Sequence, residues 1–332
     1  MTLDALPQRL LRLLADQRFH SGTDLATELG VSRTSVWKAA SALEALGLEV
    51  LALPGKGYRL ASPLELLDAS RIHAALSPEA AALLASLDIH AEIDSTNAQL
   101  MRGAGQGAPS GSVCLAETQS QGRGRIGRSW VSPFGANVYL SLLWRYDEPS
   151  RIGGLSLAVG VGVARALEGL GIAGLGLKWP NDLLLGERKL GGVLIEVAGE
   201  AHGGCAAVVG IGLNRYLPPH IAQAIDQPWA DLAHTAGGPP PRNLLAAALL
   251  NELLPLLADY AEQGLAPWLP EWRRRHALAG REATLLAGSM QVKGRIEDVS
   301  AAGLLVLRCE DGRLREFASG EVSLRAARTE EP

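Results

Sequence analysis

The most constraining feature lies near the start of the chain. Ser21 and Ser32 stand as helix caps before two short segments with helical apolar spacing, Thr23 to Leu29 and Arg33 to Leu46. Gly30 separates the two and Gly47 stops the second. In the second segment Val36, Ala40, Leu43 and Leu46 share one face, while Arg33, Thr34, Trp37, Lys38 and Ser41 lie off it. Leu10, Leu11, Leu13 and Leu14 predict a preceding helix. The runs Glu49 to Leu53 and Tyr58 to Leu60, joined by Pro54-Gly55-Lys56-Gly57, predict a β-hairpin. Two helices across a tight turn, followed by a hairpin, make a winged helix-turn-helix over residues 1–63, with Ser62-Pro63 as its exit. Its groove-facing candidates are Arg33, Thr34, Trp37 and Lys38.

The rest of the chain is patterned differently. Over 64–280, apolar runs at Ser112–Ala116, Asn137–Trp144, Gly192–Val197 and Ala206–Ile211 predict strands. Gly154–Leu170 and Asn243–Glu262 predict helices, the latter bent or interrupted at Pro255. Periodicity does not set the strand order of this α/β region. Over 281–327 the strands are short and closely spaced, and Glu310-Asp311-Gly312 is a hairpin turn, which predicts a small β-barrel. The fold class is therefore α+β and multidomain.

Charge and composition exclude several functions. A formal net charge of −4 rules out a uniformly basic nucleic-acid coat, so any DNA contact must come from a local patch. The three cysteines, Cys114, Cys205 and Cys309, are far apart, which fits neither a disulfide framework nor a zinc site and suits a reducing cytoplasm. Asp4, Pro7, Arg9 and Arg12 interrupt any signal-peptide core. Arg165 and Glu168 make Gly153–Leu177 a buried amphipathic helix, so no membrane partner is expected.

Two stretches carry chemistry. In Gln119–Trp130, Arg123, Arg125 and Arg128 alternate with Gly122, Gly124 and Gly127 directly after a predicted strand. Glycine lets backbone approach a ligand closely, and guanidinium groups fork onto phosphate or carboxylate oxygens. The same composition also suits a solvated basic loop or a segment touching RNA. Further on, Lys178-Trp179-Pro180-Asn181-Asp182 precedes Lys189-Leu190-Gly191-Gly192 at the mouth of an apolar strand. A cation, an amide and a carboxylate within five residues suit a nucleotide phosphate with its Mg²⁺, although the stretch is also a good turn. There is no Walker pattern, and Gly210-Ile211-Gly212 lacks the third glycine of a dinucleotide fingerprint.

Taken together, these segments closely resemble the bacterial bifunctional biotin–protein ligases that also repress the biotin operon. The resemblance runs through essentially the whole chain. It includes Phe19–Gly22, Pro54–Tyr58, Ser95-Thr96-Asn97, the Gly122–Arg128 loop, Ser132–Asn137, Lys178–Asp182, Lys189–Glu196 and Gly210–Asn214. It implies a central class II synthetase-like ligase domain and a C-terminal SH3-like barrel. It further implies ATP and biotin as substrates with Mg²⁺, a biotinyl-5′-AMP intermediate, and transfer to a lysine of a biotin carboxyl carrier protein.

By resemblance, Ser95, Thr96, Asn97, Gln119, Arg123, Gly124, Arg125 and Lys189 sit where the family holds biotin. Arg125, Arg128, Lys178, Asn181, Asn214 and Trp229 sit at its nucleotide positions. Lys189, Arg123 and Arg125 would offset repulsion between a carboxylate and the α-phosphate, and Asp182 would take the proton of the acceptor lysine. Ile126 departs from an all-polar loop. The metal ligands are not identified. A ligand-dependent homodimer would place two recognition helices on biotin operator DNA. Competing readings are a biotin-sensing transcription factor without catalysis, and a lipoate or octanoate attachment enzyme of related fold.

Overall fold

The computed structural model describes residues 5–199, 203–287, 290–318 and 322–326. The N-terminal unit contains α1 (Ala5–Leu14), α2 (Gly22–Leu29) and α3 (Arg33–Glu44). Ser21 Oγ accepts the Asp24 N–H at 3.0 Å and Ser32 Oγ accepts the Ser35 N–H at 3.1 Å. Each therefore satisfies a donor that the first helical turn leaves open. Gly30, at φ 70°, closes α2 and turns the chain into α3. Leu10, Leu14, Leu25, Leu29, Val36 and Leu43 form the core of this unit. α3 ends at Glu44, short of Leu46, and a turn ending at Gly47 completes it. The wing is β1 (Val50–Leu53) paired antiparallel with β2 (Gly57–Leu60).

The exit after Ser62-Pro63 is a strap and not a free tether. Leu64 and Leu66 pack on the N-terminal core together with Phe134 from the central unit. Glu65 Oε2 accepts the Arg242 N–H at 2.5 Å, and the Leu67 N–H donates to Glu117 Oε1 at 2.6 Å. Glu117 also pairs with Arg242 at 2.5 Å, and Arg242 is fully buried. A buried guanidinium needs such partners. Its Nε and Nη2 donate to the Asn137 carbonyl at 3.1 and 3.0 Å.

The central unit begins with α4 (Ala69–Ala74) and α5 (Pro78–Leu83), followed by β3 (Ser86–His90), α6 (Thr96–Gly105), β4 (Ser112–Ala116) and β5 (Val138–Tyr146). Then come α7 (Leu155–Gly169), β6 (Leu175–Lys178), β7 (Asp182–Leu185), β8 (Arg188–Gly199) and β9 (Cys205–Leu213). The short α8 (Pro219–Ala222), α9 (Arg242–Gln263) and α10 (Leu269–Arg275) complete it. The strands form one seven-stranded sheet in the order β3-β4-β5-β9-β8-β7-β6, antiparallel except for β3 with β4. Two expectations are corrected here. Gly153–Leu177 is not one helix: α7 ends at Gly169 and Leu175 already begins β6. α7 itself is buried between the sheet and α9, with Arg165 and Glu168 exposed near its C-terminal end. α9 is not interrupted at Pro255, because Leu253, Leu254, Leu256 and Leu257 are all buried and the packing around them holds the helix across the lost bond. Among the described residues, α9 alone is long and apolar enough to cross a membrane, but it is a core helix of this unit.

At the C-terminal end, β10 (Glu282–Ala287), β11 (Met290–Val299), β12 (Leu305–Cys309), β13 (Leu314–Phe317) and β14 (Val322–Ala326) form an antiparallel sheet in the order β13-β12-β11-β10-β14. A register shift between Ile296 and Asp298 marks a bulge that bends it. Its inner residues Leu285, Ile296, Val299, Leu305 and Leu307 join the apolar core of the central unit. The change near residue 281 is thus one of topology, with no break in packing.

Candidate active site

The two faces of the seven-stranded sheet differ sharply. Successive side chains on a strand alternate between faces. One face carries Val113, Leu115, Leu140, Leu142, Val209 and Ile211 and packs under α7 and α9. On the other face, Ser141, Gly210 and Leu194 lie in register across β5, β9 and β8, and Tyr139, Gly212 and Gly192 form the next row. The glycines leave room. A Cβ on Gly210 would lie 2.1 Å from Asn97 Oδ1, and one on Gly212 would lie 2.6 Å from the Trp130 indole. The Gly210-Ile211-Gly212 stretch therefore clears the floor of a cavity of about 1320 Å³.

One end of this cavity is built on the N-terminus of α6. Ser95 caps the helix, and Ser95, Thr96 and Asn97 are each 4% exposed yet line the cavity. Thr96 N–H and Oγ1–H donate to Gln119 Oε1 at 2.9 and 3.1 Å. Asn97 Nδ2 donates to Glu196 Oε2 at 2.9 Å and to the Leu194 carbonyl at 3.2 Å. The Ser141 hydroxyl is within reach of Asn97 Oδ1 at 2.6 Å and Thr96 Oγ1 at 2.7 Å. Behind the helix, Arg145 donates to the carbonyls of Ala104 and Ala108, holding its C-terminal end.

The basic loop covers the cavity. Arg123, Gly124, Arg125, Ile126 and Arg128 all line it. Arg123 Nη2 lies 3.6 Å from Glu196 Oε1, and Arg125 Nη1 donates to Asn181 Oδ1 at 3.4 Å. Burial pulls the Arg125 pKa below the usual arginine value, opposed by the Asp182 carboxylate. Arginine nonetheless stays charged at neutral pH, so an anion arriving here would recover part of that lost solvation. Ile126 has φ 56° and is 58% exposed. A β-branched residue in this left-handed region is strained by roughly 1–2 kcal/mol.

Opposite the loop, the β6–β7 hairpin brings Lys178, Asn181 and Asp182 to the wall, and β8 brings Lys189. Lys189 Nζ is 2.6 Å from Asp182 Oδ1 and 5.7 Å from the centre of the Trp130 ring. Asn181 Nδ2 donates to the Val193 carbonyl at 2.7 Å, which fixes its amide. From beyond β8, Arg281 reaches the same wall and pairs with Glu187 at 2.7 Å.

Most residues expected from the sequence therefore converge on one cavity: Ser95, Thr96, Asn97, Gln119, Arg123, Gly124, Arg125, Arg128, Lys178, Asn181, Asp182 and Lys189. Two do not. Asn214 is buried, and its Nδ2 donates to the Ala230 carbonyl at 3.1 Å, bracing the segment after β9. Trp229 lines a separate hollow of about 380 Å³ with Tyr216, Leu217 and His234. Its backbone pairs with Lys189, so it follows the cavity's edge without facing in. Sequence reasoning missed the roles of Ser141 and Glu196. A lone hydroxyl in the apolar run of β5 was the available signal for the first. Nothing in the local pattern marks the second. Also unforeseen is Trp130 Nε1, a buried N–H with no hydrogen-bond partner among the described residues.

On the N-terminal unit, Arg33, Thr34, Trp37 and Lys38 all lie exposed on α3, and Trp37 is 58% exposed. An exposed cationic face on the second helix of a helix-turn-helix is the geometry that enters a major groove.

A glycine-floored cavity under an arginine-rich loop, joined to a helix-turn-helix unit, is the arrangement of a protein ligase with a transcriptional arm. The family described as "Biotin/lipoate A/B protein ligase family" matches residues 91–214, "HTH domain" matches 8–59, and "Biotin protein ligase C terminal domain" matches 279–325. The chain belongs to the bifunctional biotin ligase/repressor family. It is 40% identical to the bifunctional ligase/repressor BirA of Salmonella typhimurium over 97% of this chain and 98% of that one. It is 39% identical to the BirA of Escherichia coli over 98% of each. Among solved structures it is similar to the biotin protein ligase from Aquifex aeolicus in complex with biotin and ATP. That match has a TM-score of 0.63 and 28% identity, and covers 74% of this chain and 100% of that one.

Proposed function

We propose that the chain is an ATP-dependent biotin–protein ligase that also represses biotin-synthesis genes. The three functional units are divided near residues 63 and 280. The observation that carries the reading is the cavity itself. A polar end at Ser95–Asn97 suits an uncharged hydrogen-bonding ring, and Arg123, Arg125 and Lys189 suit a carboxylate meeting a phosphate. The biotin carboxylate oxygen attacks the α-phosphorus, the bond to the β-phosphate oxygen breaks, and pyrophosphate leaves. Both reactants are anionic, so nearby cations lower the barrier as they approach. Arg125, Arg128, Lys178 and Asn181 face the nucleotide, while Asn214 and Trp229 act from behind the cavity wall, Asn214 by bracing the segment after β9 and Trp229 by its backbone pairing with Lys189. In the second step the neutral amine of a carrier-protein lysine attacks the acyl carbon, AMP leaves, and Asp182 accepts the amine proton. The loop excludes water from the anhydride between the two steps.

Among the described residues, no three His, Cys, Asp or Glu side chains cluster as a metal cage. Two of the cavity's carboxylates, Asp182 and Glu187, are already paired with Lys189 and Arg281. This donor set fits magnesium carried on the triphosphate, where it supplies charge neutralisation. The buried thiols of Cys114, Cys205 and Cys309 suit a cytoplasmic setting. A homodimer formed with adenylate bound would present two α3 helices to operator DNA.

The test is to incubate the full chain with labelled biotin, ATP and a biotin carrier domain. ATP-dependent label on a single carrier lysine is expected. Tight biotin binding without transfer would leave only a sensor, and transfer of lipoate or octanoate in preference to biotin would overturn the substrate. Gel shifts on biotin-gene promoters, with and without biotin plus ATP, test the repressor arm. A shift unaffected by these ligands would remove it.

A further inference from the structure

We infer that Ser141 and Glu196 are positioning residues that fix the hydrogen-bond polarity of Asn97, so that this end of the cavity selects a ligand ring bearing N–H donors. The inference rests on the proposed function and deepens it. An asparagine amide can face either way, and its surroundings decide which. Here the two Nδ2 protons have two acceptors, Glu196 Oε2 at 2.9 Å and the Leu194 carbonyl at 3.2 Å. A flipped amide would set Oδ1 against a carboxylate and a carbonyl, with no proton between them. Oδ1 is therefore held toward Ser141, 2.6 Å away.

Ser141 adds a second element. Its hydroxyl has one proton and two acceptors in reach, Asn97 Oδ1 at 2.6 Å and Thr96 Oγ1 at 2.7 Å. The residue is fully buried, and its nearest neighbours along β5, Leu140, Leu142 and Leu143, are all apolar. Packing gives no reason for a hydroxyl there, and a buried hydroxyl is costly unless hydrogen-bonded. When a ligand N–H donates to Asn97 Oδ1, the Ser141 proton turns to Thr96 and no hydrogen bond is lost. A ligand group that only accepts finds no donor at Asn97, because both Nδ2 protons are engaged.

Glu196 also ties this polarity to the loop. Its Oε2 holds Asn97 while its Oε1 lies 3.6 Å from Arg123 Nη2. One carboxylate thereby sets both the ring end of the site and a cation of the covering loop.

The test measures biotin binding to the full chain by calorimetry without ATP, together with the KM for ATP. Ser141→Ala and Glu196→Ala should each weaken biotin binding roughly tenfold, while the KM for ATP stays within about twofold. Glu196→Gln, which keeps an acceptor for Asn97, should recover most of the loss. Methylating the ring nitrogens of biotin should cost the wild-type chain more than Ser141→Ala. Folded variants that bind biotin like the wild type, or that lose biotin and ATP equally, overturn the inference and leave the ligase reading standing. A wild-type chain that binds no biotin overturns both.

Discussion

Asp182 Oδ1 and Lys189 Nζ lie 2.6 Å apart at the centre of the cavity wall, both side chains less than one-fifth exposed. They come from facing strands, β7 and β8, and the register shift between Leu183 and Leu184 lies between them. The lysine that would meet the biotin carboxylate is thus already held by a carboxylate. Under the proposed reaction, neutralising the incoming anion then falls heavily on the half-buried Arg125, and Asp182 would stand beside the reacting atoms.

Asp182→Asn should slow transfer to the carrier at least tenfold more than it slows adenylate formation, because only the second step gives up an amine proton. Pyrophosphate release and carrier labelling, measured on the same preparation, separate the two. Equal loss in both would remove Asp182 as the base. Lys189→Glu should reduce adenylate formation by about 10²-fold or more, since it turns a stabilising charge into a repulsive one.

Glu117→Ala should destabilise the chain by about 3–5 kcal/mol, because it strands the fully buried Arg242 without its carboxylate. Urea unfolding measures this. A loss below about 1 kcal/mol would mean that the Asn137 carbonyl and the Glu65 carbonyl, which accepts from Arg242 Nη1 at 2.8 Å, suffice for the guanidinium.

His276 sets an acid limit on stability. Burial lowers its pKa from 6.5 to about 4, and its Nε2 has no hydrogen-bond partner among the described residues. The folded chain thus holds it neutral, while the unfolded chain protonates it below about 6.5. Its contribution is present above pH 6.5 and is lost progressively as pH falls through 4, about 3 kcal/mol at most. Thermal melts from pH 7 to 4.5 should therefore fall less steeply for His276→Asn than for the wild type, and parallel curves would contradict this.

Lys38→Ala should weaken DNA binding across sequences and reduce the slope of log affinity against log salt by about one. Carrier biotinylation should be unchanged, because Lys38 lies on exposed α3, away from the cavity. Filter binding at several salt concentrations checks both points.

Much of the molecule was legible without coordinates, and for a local reason. Caps at Ser21 and Ser32, the stop at Gly30, and the alternation of arginine and glycine from Gly122 to Arg128 involve residues within a few positions of one another. Helix period, turn chemistry and loop composition determine them directly, so the N-terminal unit and the basic loop could be read from local pattern, whereas Ser95, Thr96, Asn97 and Gln119 are named only through the family resemblance. Sheet order is different. Ser141 and Gly210 become neighbours only because β5 pairs with β9, and Glu196 reaches Asn97 only because α6 crosses the same face. The same holds for Trp229 facing a separate hollow and for the C-terminal strands sharing the central core. Those relationships depend on which strands hydrogen-bond and on which face of the pleat each side chain falls. A period of two residues is identical for every pairing, so only the assembled sheet could decide them.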